Sequence, residues 1–339
     1  MAVTMREVAA AAGVSIKTVS NVINDYPAIR PATRERVLAA IRELGYQPNL
    51  SARGLRSGRT GVISLIIPDL KNAYFAELAD AVMRAAAKER LAVIIEQSGG
   101  DRDVELEILH GPRMRMVDGV LYSVLGVGQE DTALIADVPT PMVLLGERIF
   151  NGPADHVTMR NVEAAQAATE HLLSLGRRRL LAFGRHPHEK VGSAGLRLKG
   201  YQRALEARGI PYDESLAIEV RRWHRSDGAE AMRKVLTSGL EFDGVMAFND
   251  SIALGAMRVL QEAGLRIPGD VAIIGFDDID ETRYSLPTLS TIDPGREEIA
   301  ETAVRMLQER IKADDGPPPR EFEAVFRLVA RESTDTVPH

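Results

Sequence analysis

Apolar positions near the start of the chain recur at helical spacing. Met5, Val8, Ala9 and Ala12 fall at i, i+3, i+4 and i+7, one narrow stripe. Thr4-Met5-Arg6-Glu7 sets a capping box at its start, in which Thr4 accepts from the third helical amide while Glu7 reaches back. Gly13 suits a tight turn and Ser15 is a second N-cap. Over about 15–24, Val19, Val22 and Ile23 turn inward, while Ile16, Lys17 and Asn21 share the solvent side. A third helix is expected from Pro31, burying Val37, Leu38, Ile41 and Leu44 before Gly45 stops it. Three short helices, the first two joined by a turn around glycine, make an all-α helix-turn-helix head.

From Val62 onward the period changes. The runs VISLII (62–67), LAVIIE (91–96), GVLYSV (119–124), PMVLLG (141–146), RLLAF (179–183), GVMAF (244–248) and VAIIG (271–275) read as buried parallel strands. Helices near 74–90, 103–116, 161–175, 195–209, 226–238, 250–263 and 295–312 supply the crossovers. The alternation predicts an α/β body of one long, or two successive, doubly wound sheets. No GxGxxG follows a strand and no GxxxxGK[ST] occurs, so dinucleotide and P-loop readings lack their phosphate cradle.

Composition narrows the function. The chain has 339 residues, 45% apolar and 27% charged, and no Cys. Disulfide scaffolds, thiolate zinc sites and cysteine nucleophiles are therefore excluded together. No run approaches the ~18 apolar residues of a membrane span, and MAVTMREVAA makes a poor signal peptide, so the cytoplasm is the expected location. Residues 1–60 carry nine Lys/Arg against four Asp/Glu, a balance of +5 that leaves −11 for the rest of a chain of net charge −6. A basic head on an acidic body suggests a polyanion-binding module joined to something else. On that head Lys17 and Asn21 can address base edges, while Ser15, Thr18, Ser20, Asn24 and Thr33 can contact phosphates.

TMREVAAAAGVSIKTVSNVIN resembles the N-terminal signature of the LacI/GalR-type transcription factors, and TRERVLAAIRELGYQPNLSARGLRSGRTGVI is similar to that family's third helix and hinge. The resemblance implies that Ile16, Lys17 and Asn21 read bases. Arg30 departs from it, standing where many members have a capping serine. Asn49 is a competent N-cap for a hinge segment, but Gly54 and the short length make an isolated helix marginal. By the resemblance two such helices pair in the minor groove, with Asn49, Ala52 and Leu55 facing it and Leu55 wedged into a base step.

Open α/β sheets bind ligands beyond the carboxyl ends of their strands. That rule selects Asp69, Ser123, Glu147, Asn249 and Asp277. FNDSIALGAMRVL, GFDD and LRLKGY resemble the family's effector-domain motifs, which implies that Arg197, Asn249 and Asp277 hydrogen-bond an effector, with Ser193 beside them. Trp223 falls where the family stacks an aromatic on the ligand, and Tyr74 and Phe75 line the facing half. The bland alternatives stay open here: Asn249 as the cap of the 250–263 helix, Asp277 as a loop acid, Trp223 as core.

The resemblance implies a periplasmic-binding-protein-like body of two lobes with crossovers near 157–161, 290–293 and 318–322. The corresponding boundaries are a head over 1–46, a hinge over 47–60, a first lobe over 61–157 plus 292–319, and a second lobe over 158–291 plus 320–335. Without a trailing heptad segment, a homodimer is expected. The partners expected are a pseudo-palindromic DNA operator and a small-molecule effector, a sugar inducer rather than a purine corepressor. Neither a cofactor nor membrane attachment is expected. His186-Pro-His188 and Asp277-Asp278-Asp280 lack the setting of a metal site, and no catalytic motif is present. A solute-binding receptor would share the body but has no use for the basic head.

Overall fold

The computed structural model describes residues 3–23, 26–46, 59–187, 189, 191–313 and 317–335. Asn24, the hinge residues Asn49, Ala52 and Leu55, and His188 lie outside the described residues. The chain divides into two compact units, Met1–Thr60 and Gly61–His339.

The first unit packs α1 (Met5–Ala12), α2 (Ile16–Ile23) and α3 (Pro31–Leu44) around Val8, Ala12, Val19, Val22 and Val37. The Thr4 amide donates to the Glu7 carboxylate at 2.7 Å and the Glu7 amide to Thr4 Oγ1 at 3.4 Å, closing the expected capping box. Gly13 ends α1 at φ 62°, a conformation that penalises a Cβ. Arg30 makes no side-chain cap bond, so α3 starts on Pro31 alone. One core assignment fails: Leu38 is 37% exposed. Val37, Ala40, Ile41 and Leu44 keep the stripe, and Leu38, one position off it, points outward while Tyr46 is buried in its stead.

The second unit holds two parallel sheets. The first has six strands in the order β11-β5-β4-β3-β1-β2: β1 (Val62–Ile67), β2 (Ala92–Gln97), β3 (Gly119–Ser123), β4 (Met142–Leu145), β5 (Asp155–Met159) and β11 (Glu321–Ala324). Its side chains alternate. Ile63, Leu65, Leu121 and Val143 face α4 (Ala73–Lys88) and α11 (Arg296–Lys312), whereas Ile66, Val120, Tyr122 and Leu144 face α5 (Arg102–His110) and α6 (Thr132–Ala136). The second sheet runs β7 (Ala217–Glu219), β6 (Leu180–Arg185), β8 (Gly244–Ala247), β9 (Ala272–Ile274). It packs with α7 (Asn161–Ser174), α8 (Ser193–Ala207), α9 (Arg225–Ser238) and α10 (Asp250–Glu262) into one continuous core.

Several expectations are corrected. The helix expected over 103–116 ends at His110, where Gly111-Pro112 turns into a 3₁₀ segment, Pro112–Met116. LAVIIE is no buried strand: β2 lies at the sheet edge and Ile94 is 47% exposed. Five strands escaped the apolar-run criterion: β5, β7, β11, and the antiparallel pair β10 (Thr291–Asp293) and β12 (Arg327–Val329). A lobe boundary at 157 would cut through β5, which continues to Met159 before α7 begins at Asn161. The segment from 320 does not pass at once to the second lobe, because Glu321–Ala324 still pairs with His156–Met159 in the first sheet.

Candidate functional site

On the head, α2 separates its faces as its periodicity demands. Val19 and Val22 are buried, Ile16 and Lys17 are exposed, and Thr18, Ser20 and Asn21 are half-buried. Ser15 Oγ accepts from the Thr18 amide at 3.1 Å and lies 2.9 Å from Thr18 Oγ1, so the two hydroxyls are gathered at the helix N-terminus. First-turn amides there have no intrahelical acceptor and favour an anion. Thr33 sits half-buried in the first turn of α3.

In the body, a cavity of about 920 Å³ opens between the lobes at the carboxyl ends of their strands. The first lobe supplies Tyr74 and Phe75 from the opening turn of α4, their rings edge to face at 5.3 Å. Asn72 starts that helix by accepting from the Tyr74 amide at 3.2 Å. Ser123 at the end of β3, Glu147 just after β4 and Thr158 on β5 complete the wall. The second lobe supplies Ser193 and Arg197 from α8, Trp223 from the loop after β7, Ser251, and Asp277 after β9.

Arg197 is clamped from several sides. Its Nε donates to Asn161 Oδ1 at 2.8 Å and its Nη1 to the Phe248 carbonyl. The guanidinium lies 3.5 Å from the Phe276 ring centroid and 5.3 Å from that of Trp223. Burial pulls its pKa down, and Asp277 and Glu147 pull it back up. Trp223 commits its Nε1–H to the Gly184 carbonyl at 3.0 Å, which fixes the ring against Phe248 and leaves it no polar demand on a ligand.

Asp277 sits at φ 119°, which turns its side chain into the cavity at 4% exposure. Its nearest charged partner is Arg197 Nη2 at 3.8 Å, beyond hydrogen-bond distance. Burial pushes its carboxyl up to about 7; Arg197 and Arg296 oppose the rise, while Glu77 and Glu147 add to it. Tyr74 is likewise raised, by burial and then by Asp277 and Glu147.

Asn249 is a correction. It is wholly buried and does not line the cavity. Its Oδ1 accepts from the Ile252 amide at 2.9 Å, capping α10, and its Nδ2 donates to the Trp223 carbonyl at 3.2 Å. The strand-to-helix turn folds the side chain back onto its own helix, so Asn249 acts on the cavity only by holding the Trp223 loop.

Polar ties cross the cleft. Ser193 Oγ donates to Glu147 Oε2 at 2.6 Å. His224 Nε2 meets Asp69 Oδ2 at 3.0 Å, and Arg148 reaches the Val191 carbonyl at 3.2 Å and Glu189 at 3.4 Å. Glu77 joins the lobes by accepting from the Asp280 amide at 2.8 Å while paired with Arg296 at 2.6 Å. His186 lines the cavity, 3.0 Å from Glu189 and 3.1 Å from the Val220 carbonyl. The placements of His186, Glu189 and His224 carry no local periodicity; the polar run Arg221–Asp227 around Trp223 hints at His224 alone. Among the described residues, no group of three His, Asp or Glu is placed to hold a metal, and no helix is long and apolar enough to cross a membrane.

Residues 4–49 match the profile of bacterial regulatory proteins of the lacI family, and residues 169–334 that of a periplasmic binding protein-like domain. The chain is 33% identical over 307 residues to catabolite control protein A of Priestia megaterium, covering 91% of this chain and 92% of the relative. Among solved structures it is similar to a putative transcriptional regulator of LacI family from Sanguibacter keddieii, with 50% identity, TM-score 0.75, and coverage of 81% of this chain and 99% of that one. It is also similar to the transcriptional regulator CelR solved in complex with cellobiose, with 30% identity, TM-score 0.71, and coverage of 98% and 99%.

Proposed function

We propose, for a chain that belongs to the LacI family of bacterial regulatory proteins and is a DNA-binding transcriptional regulator under small-molecule control, that its effector is a sugar acting as an inducer. One observation carries the sugar reading. The cleft presents an indole with its own N–H satisfied beside Asp277, a buried carboxylate with no donor at hydrogen-bond distance among the described residues. A sugar ring has an apolar face for the first and hydroxyl donors for the second. CelR, a relative of similar length, is complexed with cellobiose.

The protein works as a homodimeric repressor on a pseudo-palindromic operator, α2 of each copy entering a major groove. Ile16, Lys17 and Asn21 read bases; Ser15, Thr18, Ser20, Asn24 and Thr33 position the phosphates. Asn49, Ala52 and Leu55 take the minor groove. Effector contacts come from Tyr74, Phe75, Ser123, Ser193, Arg197, Trp223 and Asp277. A sugar bridging the lobes biases their closure and so the hinge form that grips DNA. Linkage then requires the operator to change sugar affinity by the same factor.

A purine is the second reading, supported by the edge-to-face pair of Tyr74 and Phe75, and it would make the effector a corepressor. No catalytic role is proposed. Trp223, the one tryptophan of the chain, supplies the test. Its fluorescence is titrated with neutral sugars, sugar derivatives and purines. A saturable shift with sugars is expected; a response to purines alone would replace the sugar reading with the second one.

A further inference from the structure

We infer that the effector is a carbohydrate bearing an anionic group, a phosphate ester or a carboxylate, received at the cleft mouth by Arg221 and Arg222. The inference rests on the sugar-effector reading and sharpens it.

Charge is distributed unevenly through the cavity. Its interior is acidic, with Glu147 and Asp277 both buried against it. An anion placed there would meet two carboxyls against the one buried guanidinium of Arg197, which Asn161 and the Phe248 carbonyl already hold. Its exposed margin is basic: Arg221 and Arg222 line the cavity from the second lobe and Lys71 from the first, and all three reach solvent. Among the described residues, these three side chains take no part in any hydrogen bond or ion pair found in the structure. Other arginines around the cleft are committed. Arg148 is held by Glu189, Arg225 by Glu281 and Arg296 by Glu77. The margin's acids are engaged as well: Asp69 accepts from His224 and the Lys71 amide, and Asp227 from Ser226.

The Arg221-Arg222 pair immediately precedes Trp223, whose indole is anchored to Gly184. A ring stacked on the indole with its hydroxyls toward Asp277 would leave a substituent on the outward edge, next to the two guanidiniums. Guanidinium forks match phosphate and carboxylate oxygens in bidentate geometry, so the pair discriminates an anionic sugar from its neutral parent.

The test is isothermal titration calorimetry on the full chain with matched sets: an aldose, its phosphate esters and its uronic acid, repeated over several aldoses, with inorganic phosphate alone alongside. We expect one anionic member to bind roughly tenfold or more tighter than its neutral parent. That ratio should fall toward one in R221A/R222A and be largely kept in R221K/R222K, and which arm responds tells phosphate from carboxylate. The inference is overturned if the neutral parent binds as tightly, if the ratio survives in R221A/R222A, if inorganic phosphate alone reproduces the affinity, or if every anionic sugar is silent. Binding of neutral sugars without an anionic advantage defeats this inference and leaves the sugar reading standing. Binding of purines alone defeats both.

Discussion

Each lobe of the body buries carboxylates, and Asp155 in the first and Asp277 in the second are treated in opposite ways, while Asp278 beside Asp277 is held by Arg283 and Arg331. In the first, Asp155 is wholly buried, yet Arg310 Nε and Nη2 donate to it at 2.8 and 2.7 Å and Arg320 Nη2 at 2.8 Å. Burial would raise its pKa, and the two guanidiniums hold it below the usual range. Glu105 in the same lobe accepts from Ser98 Oγ, the Tyr122 hydroxyl and the amides of Gly126 and Val127. In the second lobe, Asp277 has no such donors and burial wins, pushing it up to about 7. Asp250, which Thr291 Oγ1 and the Ile279 amide bond, is also raised, by burial and then by Asp277. A buried carboxylate that the fold has satisfied is part of the scaffold. One that the fold leaves short of donors, on a cavity wall, keeps its capacity to accept hydrogen bonds from a molecule that brings them.

The largest expected effect comes from breaking the satisfied case. Arg310→Met leaves Asp155 buried with one arginine where there were two, and should lower stability by about 3 kcal/mol in urea denaturation. Asp277→Asn should do the reverse, weakening effector binding by roughly ten- to a hundredfold in calorimetry while sparing the fold. The third effect is a difference in pH slope. A carboxyl whose folded pKa is raised gives stability that is full below its unfolded value near 3.8 and lost as pH rises through about 7. Asp277→Asn should therefore raise the melting temperature relative to the parent at pH 8, and that gain should shrink toward pH 5. Asp155 has the opposite sign, its contribution being lost as pH falls through its lowered value. The smallest effect sharpens the comparison. Lys88 and Glu301 form an exposed pair at 2.7 Å, and Lys88→Met should change stability by less than about 1 kcal/mol. A larger change would mean that pairing, rather than burial, carries the energy.

The head was legible nearly to the residue, because capping, glycine turns and a helical stripe are all local signals; Leu38 misled by being apolar one position off the stripe. In the body, uninterrupted apolar runs marked the central strands. Asp155-His156-Val157-Thr158-Met159 does not read as a strand, because its Asp155 is made buriable by Arg310 and Arg320 from far along the chain. Glu321–Ala324 is polar at alternate positions for the same reason that edge strands generally are. In the cleft, strand ends pointed to Ser123, Glu147 and Asp277. Asn249 obeyed the same rule of position but was drawn into capping its helix, a choice set by one turn's geometry. The partners across the cleft, Asp69 with His224 and Arg148 with Glu189, are set by how the lobes close and leave no trace in local sequence.

Those ties have a consequence in time. Each time the lobes part, Ser193–Glu147, His224–Asp69 and Arg148–Glu189 must break together, so the dwell of a ligand between the lobes depends on these ties as well as on its own contacts. The duration of a response would be written into three side-chain bridges as well as into the molecule that evoked it.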